Sequence, residues 1–199
     1  MPPFVSQKLA LVLVLCFTAV SEAQLRVATW NCAALRGDLS AIRDILAEIA
    51  EDDTTGWSTP PAVLILQEVN EGDQVTLRNL LNSEVPGPTW RIATYTNSDS
   101  GGAQACIYRG ELLTESVSDH RDIFTGAGRF SDRWRFTIDA TNGSTGFWVY
   151  SCHLKASQGS SNEDLRESGT QTILNNIATL PNDANIIWGG DFNFYSNTE

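Results

Sequence analysis

Gly190-Asp191-Phe192-Asn193 follows the apolar run of residues 184–189 and decides how the rest of the chain is read. An Asp and an Asn two apart at a strand end project to the same side, because side chains alternate across a strand. One carboxylate and one amide then face one substrate. Gly189 and Gly190 ahead of them permit close backbone approach and unusual dihedrals, the means by which a loop is brought against a phosphate or a metal. By itself the tetrapeptide reads equally well as a strand ending in a Gly-Asp turn.

Three earlier apolar runs end in the same manner. Asn31 closes residues 25–31, Glu68 closes residues 63–68 and His153 closes residues 147–153. Singly, these are a turn former, a solvated strand end and a satisfied histidine. Together, four strands deliver Asn, Glu, His and an Asp/Asn pair to their carboxyl ends, and polar groups set by rigid strands along one rim are what a preorganised site requires.

In this order, Trp30-Asn31, Gln67-Glu68, His153-Leu154 and Gly190-Asp191-Phe192-Asn193 resemble the endonuclease/exonuclease/phosphatase superfamily. That superfamily includes deoxyribonuclease-I-like nucleases, abasic-site endonucleases, inositol polyphosphate phosphatases and sphingomyelinases. The resemblance covers residues 25–199. It implies an α/β (α+β) fold, a four-layered sandwich of two mixed β-sheets flanked by helices, and hydrolysis of phosphate esters with a divalent metal, Mg2+ or Mn2+.

The chemistry accounts for these residue types independently. A phosphodiester repels nucleophiles, so its hydrolysis needs a cation on the phosphoryl oxygens and a positioned, partly deprotonated water. Magnesium takes oxygen ligands, keeps several waters and is held by one or two carboxylates. Glu68, with Asn31 beside it, suits that role. Asp191 fits the residue that orients or deprotonates the attacking water, and Asn193 can donate an amide hydrogen to the transition state. His153, with a reference pKa of about 6.5, suits a phosphate contact or a general acid. Arg133 falls where members of the superfamily often place a phosphate-contacting arginine; an exposed strand charge is an equal reading.

Two departures accompany the resemblance. The superfamily's second half normally adds another strand-end Asp and a final Asp-His pair, and neither occurs before Glu199, so we expect the carboxyl-terminal part to be missing. The Ser118-Asp119-His120 triplet spells a similar motif but lies mid-chain, and His120 is expected at the surface. Gln104 stands where nuclease members place a carboxylate that steadies the first histidine.

Residues 1–23 read as a cleavable secretory signal: Lys8, an apolar stretch over residues 9–20, and Ser21-Glu22-Ala23 as the cleavage site. The stretch is shorter than the roughly 20 apolar residues of a membrane span. Residues 24–199 are then one incomplete domain, secreted or periplasmic, without stable membrane insertion. Cys32, Cys106 and Cys152 remain. None is at metal-ligand spacing, and Cys106 and Cys152 could be bridged only on neighbouring strands. Small buried hydrophobes are the preferred reading.

The net charge of −11 repels polyanions at long range. Arg129, Arg133, Arg135, Lys155 and Arg166 nevertheless cluster in the segments around His153, a local positive rim. The apolar fraction of 42% is that of a globular chain. Helices are predicted over residues 38–51 and 73–82, and strands over residues 90–96 and 103–109. Residues 134–140 and 147–152 should form a hairpin around Asn142-Gly143, with Asn142-Gly-Ser a glycosylation acceptor wherever the source glycosylates. A capping box at residues 161–164 should open a helix that ends near Leu180, with Arg166 on its solvated face.

These readings converge on a secreted, metal-dependent phosphoric ester hydrolase, a nuclease-like phosphodiesterase acting on a phosphate ester such as DNA or RNA. The alternatives are a phosphatase or sphingomyelinase of the same superfamily, and a non-catalytic remnant or binding module. Oligomeric state is not legible in the sequence.

Overall fold

The structure is a computed structural model that describes residues 25–51, 60–97 and 99–195. The expected signal segment lies outside the described residues. Two mixed sheets stack face to face. The first contains β1 (Val27–Asn31), β2 (Val63–Val69), β3 (Trp90–Ile92) and β4 (Ala103–Arg109), in the order β1-β2-β4-β3. The second contains β5 (Leu113–Glu115), β6 (Arg121–Gly126), β7 (Arg129–Ile138), β8 (Gly146–His153) and β9 (Ile186–Asp191). Its order is β5-β7-β8-β9, and β6 also pairs with β7.

Helices α1 (Leu39–Ala50) and α2 (Asp73–Glu84) cover the outer face of the first sheet, and α3 (Ser160–Ile177) covers that of the second. This is the expected four-layered sandwich. Asp38 caps α1, its carboxylate accepting the Ser40 N–H at 2.9 Å. Ile42, Leu46 and Ala50 recur every four residues and form the buried stripe of that helix. Between the sheets lie Val63, Ile65, Tyr108, Trp134, Phe136, Phe147 and Val149. Trp134 is fully buried, and its indole N–H donates to the Thr94 carbonyl at 2.7 Å, a polar tie from the second sheet to the segment that follows β3.

Several sequence expectations shift here. The run at residues 90–96 pairs only over Trp90–Ile92, while β5 and β6, unforeseen, line one edge of β7. The capping box is absent because α3 begins one residue before it, with Gly159 at the cap and no side-chain cap. Arg166 is buried rather than solvated: its guanidinium donates to the Lys155 and Ser157 carbonyls at 2.9 Å, fastening the loop after His153 to α3. The Asn142-Gly143 turn sits as expected between β7 and β8, with Asn142 exposed and in the left-handed region. No helix among the described residues is long and apolar enough to cross a membrane.

Candidate active site

The parallel pairings fix the rim. β1 lies parallel to β2, and β8 parallel to β9. The carboxyl ends of all four strands therefore meet at one edge of the sandwich, bringing Asn31, Glu68, His153 and Asp191 together. The Asn31 amide donates to Glu68 Oε1 at 3.1 Å and to Asp191 Oδ2 at 2.9 Å, spanning the two sheets. His153 Nε2 lies 3.6 Å from Glu68 Oε1 and 4.0 Å from Asp191 Oδ2. Asn193 adjoins them: its backbone N–H donates to Asp191 Oδ1 at 3.0 Å, and its side-chain amide to the Leu154 carbonyl at 3.1 Å.

Two backbone features aim the carboxylates. Glu68 sits at the irregularity where the β2–β4 register shifts, with φ of 55°, a conformation uncommon for a residue with a side chain. Gly102 packs against it so closely that a Cβ there would stand 2.6 Å from Glu68 Cα. Gly190, at φ 144°, lies where a Cβ would meet the Cys152 carbonyl oxygen at 2.1 Å. The two glycines that the sequence marked for close approach thus include one that delivers Asp191 against β8.

His153 is buried, and its protonation is set by what stands behind it. Arg129 Nη1 lies 3.2 Å from His153 Nδ1. A guanidinium only donates, so Nδ1 accepts, and the hydrogen-bond network assigns the ring proton to Nε2, facing Glu68 and Asp191. Burial first, then the Arg129 charge, lowers the His153 pKa below its ordinary value. The imidazole is therefore neutral at physiological pH.

Arg129 is itself held by Asp99, whose Oδ1 lies 3.3 Å from Arg129 Nη1. Asp99 also accepts N–H groups from Gly101 at 2.8 Å and Phe130 at 3.2 Å. A buried polar chain continues from it through Gln104 and Ser151 to Gln67, which donates in turn to the exposed Thr29. Gln104 does not steady His153; it is bonded to Ser151 and Asp99, and Arg129 takes the histidine contact. Sequence reasoning had placed Arg129 only in a basic cluster and missed Asp99. The Ser100-Gly101-Gly102 turn beside it was the available signal, since a Cβ on Gly101 would overlap the Arg129 guanidinium at 1.5 Å.

Arg133 is not brought to this rim. It pairs with Tyr150 on β8, whose side chain faces α3, whereas His153 lies an odd number of positions away and faces the opposite side of the sheet. Its guanidinium stacks on Trp148 at 4.7 Å and donates to the Asp119 carbonyl and Asn176 Oδ1. Neither the phosphate contact nor the exposed strand charge describes it: Arg133 is a buried tie between β7 and α3. Cys32, Cys106 and Cys152 are free and buried, with Cys106 and Cys152 in different sheets.

Glu68 and Asp191 offer hard oxygen donors, partly open to solvent, as a magnesium-class cation requires, while Asn31 turns its amide nitrogen to both and its Oδ1 accepts the Ala33 N–H at 3.0 Å. No curated protein sequence matches the chain significantly. Solved structures do match. TDP2 from D. rerio with a single-strand DNA product is 19% identical with a TM-score of 0.59, over 86% of this chain and 62% of that one. A mannosyl-6-phosphatase from Bacteroides thetaiotaomicron is 15% identical, TM-score 0.60, over 85% and 66%. The human nocturnin catalytic domain with a bound sulfate anion is 19% identical, TM-score 0.60, over 85% and 64%. The likeness establishes the shared fold, and this chain spans less than two thirds of each of these three. With residues 28–198 matching the family model described as Endonuclease/Exonuclease/phosphatase family, the chain belongs to that family.

Proposed function

We propose that the protein is a secreted, divalent-metal-dependent phosphoric ester hydrolase, a nuclease-like phosphodiesterase. The observation that carries this reading is the Asn31 amide bridging Glu68 and Asp191, with the His153 Nε2–H turned toward both carboxylates.

Glu68, with Asn31 beside it, would hold the metal. When bound, a divalent cation neutralises phosphoryl charge and lowers the pKa of water. Asp191, oriented by the Asn193 N–H and the Asn31 amide, accepts the proton of the attacking water. His153, neutral with Nε2–H forward, donates a hydrogen bond to a phosphoryl oxygen, and burial keeps that donor in one orientation. The expected export supports an extracellular substrate.

The net charge of −11 favours a second reading, a phosphatase acting on small phosphate esters, which are less repelled than a long polyanion. Purified protein should be assayed with Mg2+ and Mn2+ on plasmid DNA, RNA, inositol phosphates, sugar phosphates and sphingomyelin. Turnover abolished by EDTA and reduced at least about a hundredfold by Glu68→Ala is expected. A metal-dependent rate retained by Glu68→Ala would overturn the assignment. Absence of any turnover would favour a binding module.

A further inference from the structure

A second cluster of ligating groups lies on β6 and β7. His120 follows the short 3₁₀ turn Val117–Asp119, Asp122 is on β6 and Asp132 on β7. One nitrogen and two carboxylate oxygens from these residues lie within 4.8 Å of one another. His120 Nε2 stands 3.4 Å from Asp122 Oδ1 and 4.0 Å from Asp132 Oδ2.

The arrangement is unfavourable as it stands. Asp122 and Asp132 are directly opposed in the antiparallel register, where like charges destabilise a sheet. Asp132 is only 1% exposed, and its Oδ2 has no hydrogen-bond partner. The His120 ring, 9% exposed, likewise leaves Nε2 without one. Contrary to the surface position expected for it, His120 turns inward beside Trp134. The adjacent cations are engaged elsewhere. Arg121 donates to the Ser118 and His120 carbonyls, and Arg133 to the Asp119 carbonyl and Asn176. Thr96 donates its hydroxyl to Asp122 Oδ1 at 2.6 Å, which leaves the Asp132 oxygen unserved.

We propose that His120, Asp122 and Asp132 bind a first-row divalent cation of the zinc class, at a structural site separate from Glu68. For metal–ligand bonds of about 2.0–2.2 Å, a tetrahedral sphere separates its ligand atoms by roughly 3.3–3.6 Å. The His120–Asp122 spacing matches, and the His120–Asp132 spacing is a few tenths of an ångström longer. Two carboxylates neutralise a dication, and the imidazole selects transition metals over magnesium or calcium. Asp122 lies at the surface with its side chain 26% exposed, so the cluster has an entry path from solvent. The cation would clamp β6 to the part of β7 that begins with Arg129.

The probe is Co2+, which gives intense visible absorption in tetrahedral sites and weak absorption in octahedral oxygen sites. Chelator-stripped protein titrated with Co2+ should show one equivalent of tetrahedral-type absorption, displaced by Zn2+. The band should persist in Glu68→Ala and disappear in His120→Gln. Asp122→Asn, a near-isosteric change at the most exposed of the three that leaves Oδ1 to accept from Thr96, should keep the fold and weaken Co2+ at least about tenfold. Should His120→Gln not fold, Asp122→Asn decides. Absence of the band, its loss in Glu68→Ala, or an affinity unmoved by Asp122→Asn would overturn the site.

Discussion

Arg129 Nη1 meets His153 Nδ1 at 3.2 Å while the same nitrogen lies 3.3 Å from Asp99 Oδ1, so a buried carboxylate orients the imidazole through an arginine. The arrangement fixes the tautomer, and the Arg129 charge adds to burial, the larger cause, in keeping the ring neutral. Arg129→Met should leave the backbone in place but free the imidazole to turn. Supporting groups of this kind typically contribute 10- to 100-fold, so kcat on a chromogenic phosphodiester should fall by about that factor with KM little changed. Far-UV circular dichroism checks the fold. An unaltered kcat would show that His153 needs no such orientation.

Gly102 tests how Glu68 is aimed. At φ 90°, with Glu68 Cα at 2.6 Å from where a Cβ would stand, Gly102→Ala introduces both a strained dihedral and a backbone clash. A loss of about 1–3 kcal/mol in urea unfolding is expected. Activity should fall further than stability alone explains, because the β2 irregularity carrying the Glu68 carboxylate must move. Ala103→Gly at the next residue, which pairs with Val69 and adds no atoms, should reproduce neither the clash nor the loss of activity.

The three thiols predict an alkaline limit to stability. Burial pushes the Cys32 thiol up to about 11 and Cys152 to about 12, and burial also raises Cys106 well above its ordinary value. In the unfolded chain thiols ionise near about 8.5. Below that pH both states keep the proton and nothing is lost. Between about 8.5 and 11 the unfolded chain releases protons that the folded chain retains, so stability falls with rising pH by up to about 1.4 kcal/mol per pH unit per thiol. Urea midpoints measured from pH 8 to 11 should decline. Cys32→Ala should flatten the slope. Alkylation at pH 8 should proceed only through unfolding.

The candidate rim was legible because it depends on strand ends, which sequence marks by an apolar run that stops at a polar residue. Asn31, Glu68, His153 and Asp191 each carry that signature, and parallel pairing did the rest. Asp99 carried no such mark. It lies in a loop and reaches His153 only through a side chain 30 residues away, a relationship that no local periodicity encodes. Arg133 misled for a related reason: strand parity, not proximity in sequence, decides which face a residue occupies, and β7 turns Arg133 toward α3. His120 looked like a surface loop residue until β6, too polar to be read as a strand, packed it against β7.

The Asn31 amide is the only neutral member of a three-residue contact whose other two members are carboxylates, and that asymmetry is testable without any substrate. Its Nδ2 hydrogens hold Glu68 and Asp191 together across the sheets in the metal-free protein. Asn31→Asp removes both donors and adds a third negative charge at hydrogen-bond distance from the first two, a like-charge contact that desolvation sharpens. The metal-free variant should melt several degrees below the parent, by roughly 1–3 kcal/mol. Divalent cation should then raise its Tm more than it raises the parent's, since the added carboxylate strengthens cation binding and the cation relieves the repulsion. A variant equally stable with and without metal would show that no ion binds beside Asn31 and Glu68.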